Sequence, residues 1–231
     1  MYRVSRFVPL MLVAALVPFS GRVAASPSDE VERIHDSLTV LRDLTATPDN
    51  AIPRHLLERA EAIVVIPSLV KGGFIVGAKH GKGVLSVRDS ERHWSSPAFV
   101  KMTGGSIGWQ IGVESIDLVL LVMNRGGIDD LMSDKFTLGG NMSVAAGPVG
   151  RNGDAATDVK LGSEILAYSR SKGLFAGATF EGASLTSDKD ANDEFYGKPI
   201  TMHEILQKPI SAMPEMGAAW RTGLRDMTEP R

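Results

Sequence analysis

The spacing of apolar and polar residues along the chain predicts two short helices ahead of a β-rich region. Between Asp29 and Leu44 the apolar residues recur at three- and four-residue spacing, as on one face of an amphipathic helix that Ser28 or Asp29 caps. That face consists of Val31, Ile34, Leu38, Leu41 and Leu44. Residues 47–53 interrupt the pattern, and Pro53 suits the first turn of a second helix with the sequence RHLLERA.

The β-rich region begins with three short apolar runs. AIVVIP, GFIVGA and GVLSVR, which start at Ala62, Gly73 and Gly83, each predict a strand. The four polar or glycine residues KHGK, at 79–82, predict the turn of a hairpin between the last two strands. SIDLVLLVMN, which contains Asp117, is a longer apolar run and predicts a central strand.

The second half of the chain alternates between strand and helix patterns. NMSVAAGPVG and GLFAGATFEGASLT favour strands joined by turns, whereas GGIDDLM, YGKPITMHEIL and MGAAWRTGLRDM favour short helices. AGPVGRNGD predicts a constrained turn whose backbone depends on Gly147, Gly150 and Gly153. The predicted fold class is therefore α+β, with short N-terminal helices packed on a mostly antiparallel β-sheet curled into a sandwich or barrel.

The first 25 residues have the pattern of a secretory signal peptide. Arg3 and Arg6 precede the apolar run FVPLMLVAALVPF, and VAAS supplies small residues for cleavage after Ala25. We therefore expect residues 1–25 to be removed, leaving a single domain over residues 26–231 in a periplasmic or otherwise exported protein; an uncleaved anchor is the alternative. The chain has no cysteine, so neither lipoprotein processing nor disulfide bonds are expected.

Charge is distributed unevenly along the chain. Cleavage would leave 22 basic and 27 acidic residues, a net charge of −5, which argues against a general nucleic-acid-binding protein. Within this acidic chain, residues 71–101 contain six basic and two acidic residues. The six cations are Lys71, Lys79, Lys82, Arg88, Arg92 and Lys101. They are candidate contacts for an anionic partner, and a hairpin with merely solvated charges is the alternative.

Two segments match ligand-binding loops only in part. In KGGFIVGAKHGKGVLSVR, three residues rather than four separate Gly77 from Gly81, and Gly83 replaces the Ser or Thr that would hold magnesium, so nucleotide binding is not expected. DKDANDE, residues 188–194, lacks the glycine and the final glutamate of a calcium loop, which favours a solvated acidic turn. The five histidines show no metal-ligand spacing, and we predict neither a metal site nor a cofactor.

The segment GGSIG, residues 104–108, matches the Gly-x-Ser-x-Gly motif of serine hydrolases. That motif places its serine on a turn between a strand and a helix, and no helical pattern follows here. We therefore predict a glycine-rich strand. A serine hydrolase that uses Ser106 as nucleophile and His203 as base is kept as an alternative function.

Five segments together resemble the SYLF domain family in their order and spacing. They are KGGFIVGAKHGKGVLSVR, HWSSPAFVKMTGGSIGWQIGVESIDLVLLVMN, FTLGGNMSVAAGPVGR, YSRSKGLFAGATFEG and ANDEFYGKPITMHEIL. The resemblance covers residues 33–206 and implies a lipid-binding module. Eukaryotic members bind phosphoinositides, some yeast members bind and bundle actin, and bacterial members are exported. The family has no established catalytic residues, so the resemblance implies a protein that is not an enzyme.

From the residues and this resemblance we expect non-enzymatic binding of phospholipid or membrane surfaces. Anionic phospholipid is the expected partner, and the six cations between Lys71 and Lys101 are the candidate lipid contacts. Because charge alone supplies too little affinity, we also expect an apolar contact, either from the Val31–Leu41 helix face or from a pocket between the glycine-rich strands. Actin is not expected as a partner of an exported bacterial protein. An envelope structural or protein-interaction module is a further alternative.

Overall fold

The computed structural model describes most of the chain beyond the N-terminal segment. It describes residues 28–46, 51–73, 76–107, 112–132, 135–140, 142–150, 164–171, 174–175, 182–210 and 212–229. The predicted signal peptide with its cleavage after Ala25, and the predicted role of Gly153, lie outside the described residues.

Six α-helices lie in these described segments. They are α1 (Asp29–Ala46), α2 (Arg54–Arg59), α3 (Ile128–Leu131), α4 (Lys189–Tyr196), α5 (Met202–Gln207) and α6 (Glu215–Thr228). The predicted N-terminal pair is confirmed, with Pro53 as the residue that precedes the first turn of α2. The short helices predicted from GGIDDLM, YGKPITMHEIL and MGAAWRTGLRDM are confirmed as α3, α5 and α6.

Nine strands of the described chain form one sheet. They are β1 (Ala62–Gly73), β2 (Val76–Val87), β3 (Ala98–Ile107), β4 (Gly112–Val122), β5 (Lys135–Thr137), β6 (Val144–Ala146), β7 (Ile165–Ser171), β8 (Leu174–Phe175) and β9 (Ser184–Ser187). Their order is β5-β9-β3-β2-β1-β4-β7-β6, with β8 paired to β7, and only β6 and β7 pair in parallel among these strands. The predicted α+β class with a curled, mostly antiparallel sheet is confirmed, and SIDLVLLVMN lies in the central strand β4.

Alternate residues of the central strands face two hydrophobic cores. On one side, Ile63 and Phe99 pack against α1, α2 and α6 in what is termed below the helix core. On the other side, Val64 and Leu118 pack with residues of α3, α5, β5 and β9 in the inner core. The predicted apolar face of α1 belongs to the helix core, where Ile34 is fully buried. Since burying a Leu or Ile side chain contributes about 1.5–3 kcal/mol, this face anchors α1 to the sheet.

The predicted hairpin turn at KHGK is wrong. Strand β2 runs through residues 79–82 without interruption; it pairs continuously with β3 there, and with β1 on either side of residues 81–83. The glycines serve close packing instead, because β1 bulges at Ser68, which has a φ of 51°. A Cβ atom on Gly81 would lie 2.6 Å from a side-chain carbon of β1, and one on Gly83 would lie 2.2 Å from a β1 carbonyl oxygen. The glycines that suggested a turn therefore belong to a strand that packs closely against its bulged neighbour β1.

The solvated acidic turn predicted for residues 188–194 is also wrong. Most of this segment is in α4, and the side chain of Asp188 caps the helix by accepting from the N–H of Ala191. Asp188 and Asn192 are buried. Asn192 fixes α4 to β3, because its side chain accepts from the N–H of Phe99 at 2.8 Å and donates to the carbonyl of Phe99 at 3.1 Å.

The constrained turn predicted around Gly147 and Gly150 is confirmed. Gly150 has a φ of 64°, a conformation that favours glycine, and its N–H donates to the carbonyl of Ala51 at 3.0 Å. Gly147 is required for a different reason, since a Cβ atom there would lie 2.1 Å from the ring of the buried Tyr168.

Candidate functional site

The six predicted cations do not form one surface. They lie at three levels along the sheet: Lys71 and Lys79 near the end where Gly73 pairs with Gly77, Lys82 and Lys101 in the middle, and Arg88 and Arg92 at the far end. We term the first level the tip end of the sheet. At about 3.3 Å per residue, the nine positions from Lys79 to Arg88 span about 30 Å.

At the tip end, two lysines lie directly opposite each other. Lys71 of β1 pairs in register with Lys79 of β2. Both lie on the face of the sheet that bears the inner core. Lys79 is 7% exposed. Burial, and next the charge of Lys71, hold the pKa of Lys79 below its ordinary value. Like charges directly opposite on paired strands are destabilising, and Lys71 also pairs in register with Glu114 of β4 on its other side.

The other face of the tip end is exposed. Val70 directly precedes Lys71. Among the described residues it is the large hydrophobic side chain that is exposed to solvent, at 45%. It belongs to a row of paired positions that continues through His80 of β2 to Thr103 of β3, both exposed. Lys82 lies on the same face of β2 as His80, is exposed, and has no ion pair with a residue that the structure describes. An apolar side chain and a free cation therefore lie together on this face.

In the middle of the sheet, Lys101 is neutralised by a buried acid. Its Nζ lies 2.8 Å from Oδ1 of Asp188, while Nη1 of Arg33 lies 3.2 Å from Oδ2. Burial alone would raise the pKa of Asp188, but the hydrogen bond and charge of Lys101, together with Arg33, outweigh it and hold that pKa below its usual range. Lys101 thus ties β3 to the start of α4.

At the far end, Arg88 is part of the fold. It is 5% exposed, stacks on the ring of Trp94 at 4.3 Å, and donates to Oγ1 of Thr228 at 2.9 Å. Burial, and next the charge of Arg92, lower the pKa of Arg88. Arg92 pairs with Glu61. Arg88 therefore joins the end of α6 to the β2–β3 connection, and three of the six cations, Arg88, Arg92 and Lys101, have their charges engaged within the fold.

Ser106 lies within β3, opposite Gly77 of β2. The predicted glycine-rich strand is confirmed, because β3 continues to Ile107 rather than turning into a helix. The strand-to-helix turn on which a serine hydrolase positions its nucleophile is thus not formed at Ser106.

The described residues contain neither a metal-binding cluster nor a membrane-spanning helix. No group of three or more histidine or acidic side chains in these segments could hold a metal ion. None of the helices in the described part is both long enough and apolar enough to cross a bilayer.

A second group of cations was not predicted from the sequence. Arg221 and Arg225 of α6 line a cavity together with Arg92. Their four-residue spacing within MGAAWRTGLRDM places both on one face of the predicted helix, and this was the available signal. Their proximity to Arg92, far away in the sequence, required the tertiary structure.

Comparison with known proteins identifies related chains. A family model described as "Ysc84: Las17-binding protein actin regulator" matches residues 103–223. Protein YSC84 of Saccharomyces cerevisiae is 37% identical over 169 residues, which are 72% of this chain and 36% of the yeast protein. LAS seventeen-binding protein 3 of the same yeast is 35% identical over 176 residues, or 75% of this chain and 38% of that protein. Human SH3 domain-containing YSC84-like protein 1 is 32% identical over 186 residues, or 78% of this chain and 54% of that protein. The chain thus spans between about a third and about half of the length of these relatives.

Proposed function

The chain belongs to the Ysc84 (SYLF) domain family, and from this membership and the opposed lysines of the tip end we propose that it binds anionic phospholipid surfaces without catalysing a reaction. The family description names a Las17-binding protein and actin regulator, one relative is named for the same binding, and neither name describes an enzyme. The resemblance of the sequence to lipid-binding SYLF domains gives the class of ligand.

The pairing of Lys71 with Lys79 is the observation that carries this proposal. Two lysines are directly opposite on paired strands there, and Lys79 is buried. The cost of holding Lys79 charged in this environment falls when a phosphate group approaches, because an opposite charge nearby favours the charged form. The pair therefore gains stability from the partner that we propose.

Charge alone gives weak binding. A basic residue close to an anionic membrane contributes about 1 kcal/mol, so Lys71, Lys79 and Lys82 together contribute about 3 kcal/mol. An affinity of 1 mM corresponds to about 4 kcal/mol. An apolar contribution is required as well, and exposed Val70 precedes Lys71 in β1 and lies on the face of the sheet that also bears Lys82. The face of α1 proposed for this role from the sequence is buried in the helix core, so Val70 replaces it.

Flotation with vesicles tests the proposal. The wild-type protein should float with vesicles of phosphatidylcholine and phosphatidylglycerol and stay behind with vesicles of phosphatidylcholine alone. Binding should decrease as salt rises, since screening acts over about 8 Å at physiological ionic strength. Equal flotation with both vesicle types would show that the anionic headgroup is not the ligand.

A protein partner is the second candidate function. The family description names an actin regulator that binds Las17, and one relative is named for the same binding. The expectation that actin is not a partner of this chain therefore finds no support. Co-sedimentation with filamentous actin tests this candidate, and pelleting with actin in the absence of lipid would favour it over phospholipid.

Export is part of the same proposal. The charged start, apolar run and small residues before Ser26 predict removal of residues 1–25. The intact mass of protein from a periplasmic fraction measures this, and a chain that still begins at Met1 would contradict it.

A further inference from the structure

A cavity of about 300 Å³ lies between the β2–β3 connection and helix α6. This volume is at the lower end of the range of about 300–1,000 Å³ that ligand pockets occupy. We term it the α6 cavity. Its polar lining comprises Arg92, His93, Arg221, Thr222, Arg225 and Glu229. Three guanidinium groups thus face one carboxylate across a small volume.

The wall formed by the β2–β3 connection is fixed by contacts outside the cavity. Trp94, which also lines the cavity, is 6% exposed and donates its indole N–H to Oγ1 of Thr228 at 2.9 Å. Arg88 stacks on the same indole. Arg92 has a φ of 70°, and its guanidinium donates to the carbonyl oxygen of Glu58 at 2.6 Å. Because these groups are already ordered, a ligand that binds here loses little free energy to ordering this wall.

The wall formed by α6 supplies two guanidinium groups that can turn toward a ligand. Arg221 and Arg225 are four residues apart, and therefore lie on one face of the helix. Both are exposed, and Arg221 has no ion pair with any residue in the described segments. Arg225 lies 3.6 Å from its neighbour Asp226, and that pair is exposed on both sides. Exposed ion pairs of this kind contribute little, so the contact does not hold Arg225 away from the cavity.

We propose that the α6 cavity binds a phosphomonoester, with Arg221 and Arg225 as its principal contacts. A planar guanidinium group donates two parallel hydrogen bonds to phosphate oxygens, and two such groups at one site match a dianion. The hydroxyl of Thr222 adds a neutral donor to the lining. Arg92 is neutralised by Glu61 and serves to position the wall.

The α6 cavity is separate from the tip end. Arg88, which borders it, lies about 30 Å along β2 from Lys79. A membrane that contacts the tip end does not reach the cavity, so a soluble phosphomonoester is its expected ligand. The site itself does not rest on the lipid-binding function, whereas the choice of a soluble ligand rests on the proposed membrane contact at the tip end.

Titration with glycerol 3-phosphate, followed by the indole N–H resonances of ¹⁵N-labelled protein, tests this proposal. The Trp94 resonance, assigned with a Trp94→Phe variant, should shift on titration because Trp94 lines the cavity. Arg221→Gln with Arg225→Gln should weaken the affinity at least tenfold, since two charged hydrogen-bonding groups are lost. Glu229→Gln should tighten it, because the lining carboxylate repels phosphate. A matched control, Arg42→Gln with Arg59→Gln, removes two exposed arginines elsewhere and should leave the affinity unchanged.

A second titration, with vesicles that contain phosphatidic acid, distinguishes a lipid headgroup from a soluble molecule as the source of the phosphate group. A Trp94 shift with vesicles alone that is lost in the Arg221/Arg225 variant supports the phosphomonoester site and assigns the ligand to a lipid headgroup. A shift with glycerol 3-phosphate supports the site and a soluble ligand. The proposal is overturned if the Trp94 resonance stays in place with both probes, or if the Arg221/Arg225 and control variants bind glycerol 3-phosphate equally well.

Discussion

Asp188 shows how one buried carboxylate organises residues that are far apart in sequence. It accepts from Arg33 of α1 and pairs with Lys101 of β3, while its side chain also caps α4. Arg33 in turn lies over the ring of Phe99, at 5.2 Å. A single side chain therefore links two helices and a central strand. Its charge matters because both the carboxylate and Arg33 are buried.

Replacing Asp188 by Asn should destabilise the protein by about 3 kcal/mol at pH 7, because Arg33 would stay buried without its partner. The pKa of Asp188 is lower in the folded than in the unfolded chain, so its stabilisation is present above the unfolded value of about 3.8 and is lost as pH falls through the folded value. Urea unfolding at pH 7 and at pH 3 measures both effects, and the variant should lose less stability than wild type over this interval.

The matched control for Asp188 is Glu194→Gln, which removes an exposed acid from the same helix. Its free energy of unfolding should stay within about 0.5 kcal/mol of wild type at pH 7. If Asp188→Asn were no more destabilising than this control, the buried cluster would contribute nothing to stability.

The paired strands β1 and β2 show what sequence patterns can and cannot predict about an element. The period of apolar residues predicted α1, and a continuous apolar run predicted β4, because both patterns depend only on which faces of the element are buried. KHGK was predicted as a turn because its composition is that of a turn, whereas the structural reason for Gly81 and Gly83 is the bulge of another strand. Contacts between strands are not encoded in local composition.

Gly83→Ala should destabilise the protein by about 2 kcal/mol, because the added Cβ would lie 2.2 Å from the carbonyl oxygen of Val65 and the backbone of β1 would have to move. Gly105→Ala in β3 is the control, since nothing lies within 4 Å of its Cβ position. Thermal unfolding of both variants measures the difference. Equal melting temperatures would show that β1 and β2 do not pack as closely as described.

At the scale of the whole molecule, the predicted basic patch divides into parts with different roles. Sequence could count the cations between Lys71 and Lys101, but it could not show that Arg88 is buried or that Lys101 faces Asp188. Those outcomes depend on α6 and α4, more than 80 residues further along the chain. For the same reason, the sequence could not show that Arg92 lines one cavity with Arg221 and Arg225.

Of the remaining candidates, Lys71 and Lys79 lie at the tip end and Lys82 lies three positions further along β2, so the expected membrane contact is at the tip end. After the proposed removal of residues 1–25 the chain would have a net charge of −5, so the acidic remainder of the molecule would be repelled by an anionic bilayer. This repulsion favours an orientation in which the tip end approaches the membrane and the opposite end of the sheet, where Arg88 lies, points away. Orientation thus follows from the uneven distribution of charge.

The most direct measurement compares the binding of anionic vesicles by two variants of equal charge. Lys71→Gln with Lys79→Gln removes the opposed pair, and Lys189→Gln with Lys198→Gln removes two exposed lysines elsewhere. Flotation at low salt, with melting temperatures recorded in parallel, should show at least a tenfold loss of affinity for the first variant, since two basic contacts of about 1 kcal/mol each are lost, and little change for the second. Binding by a folded Lys71/Lys79 variant that equals that of the control would contradict the assignment of the tip end as the phospholipid contact.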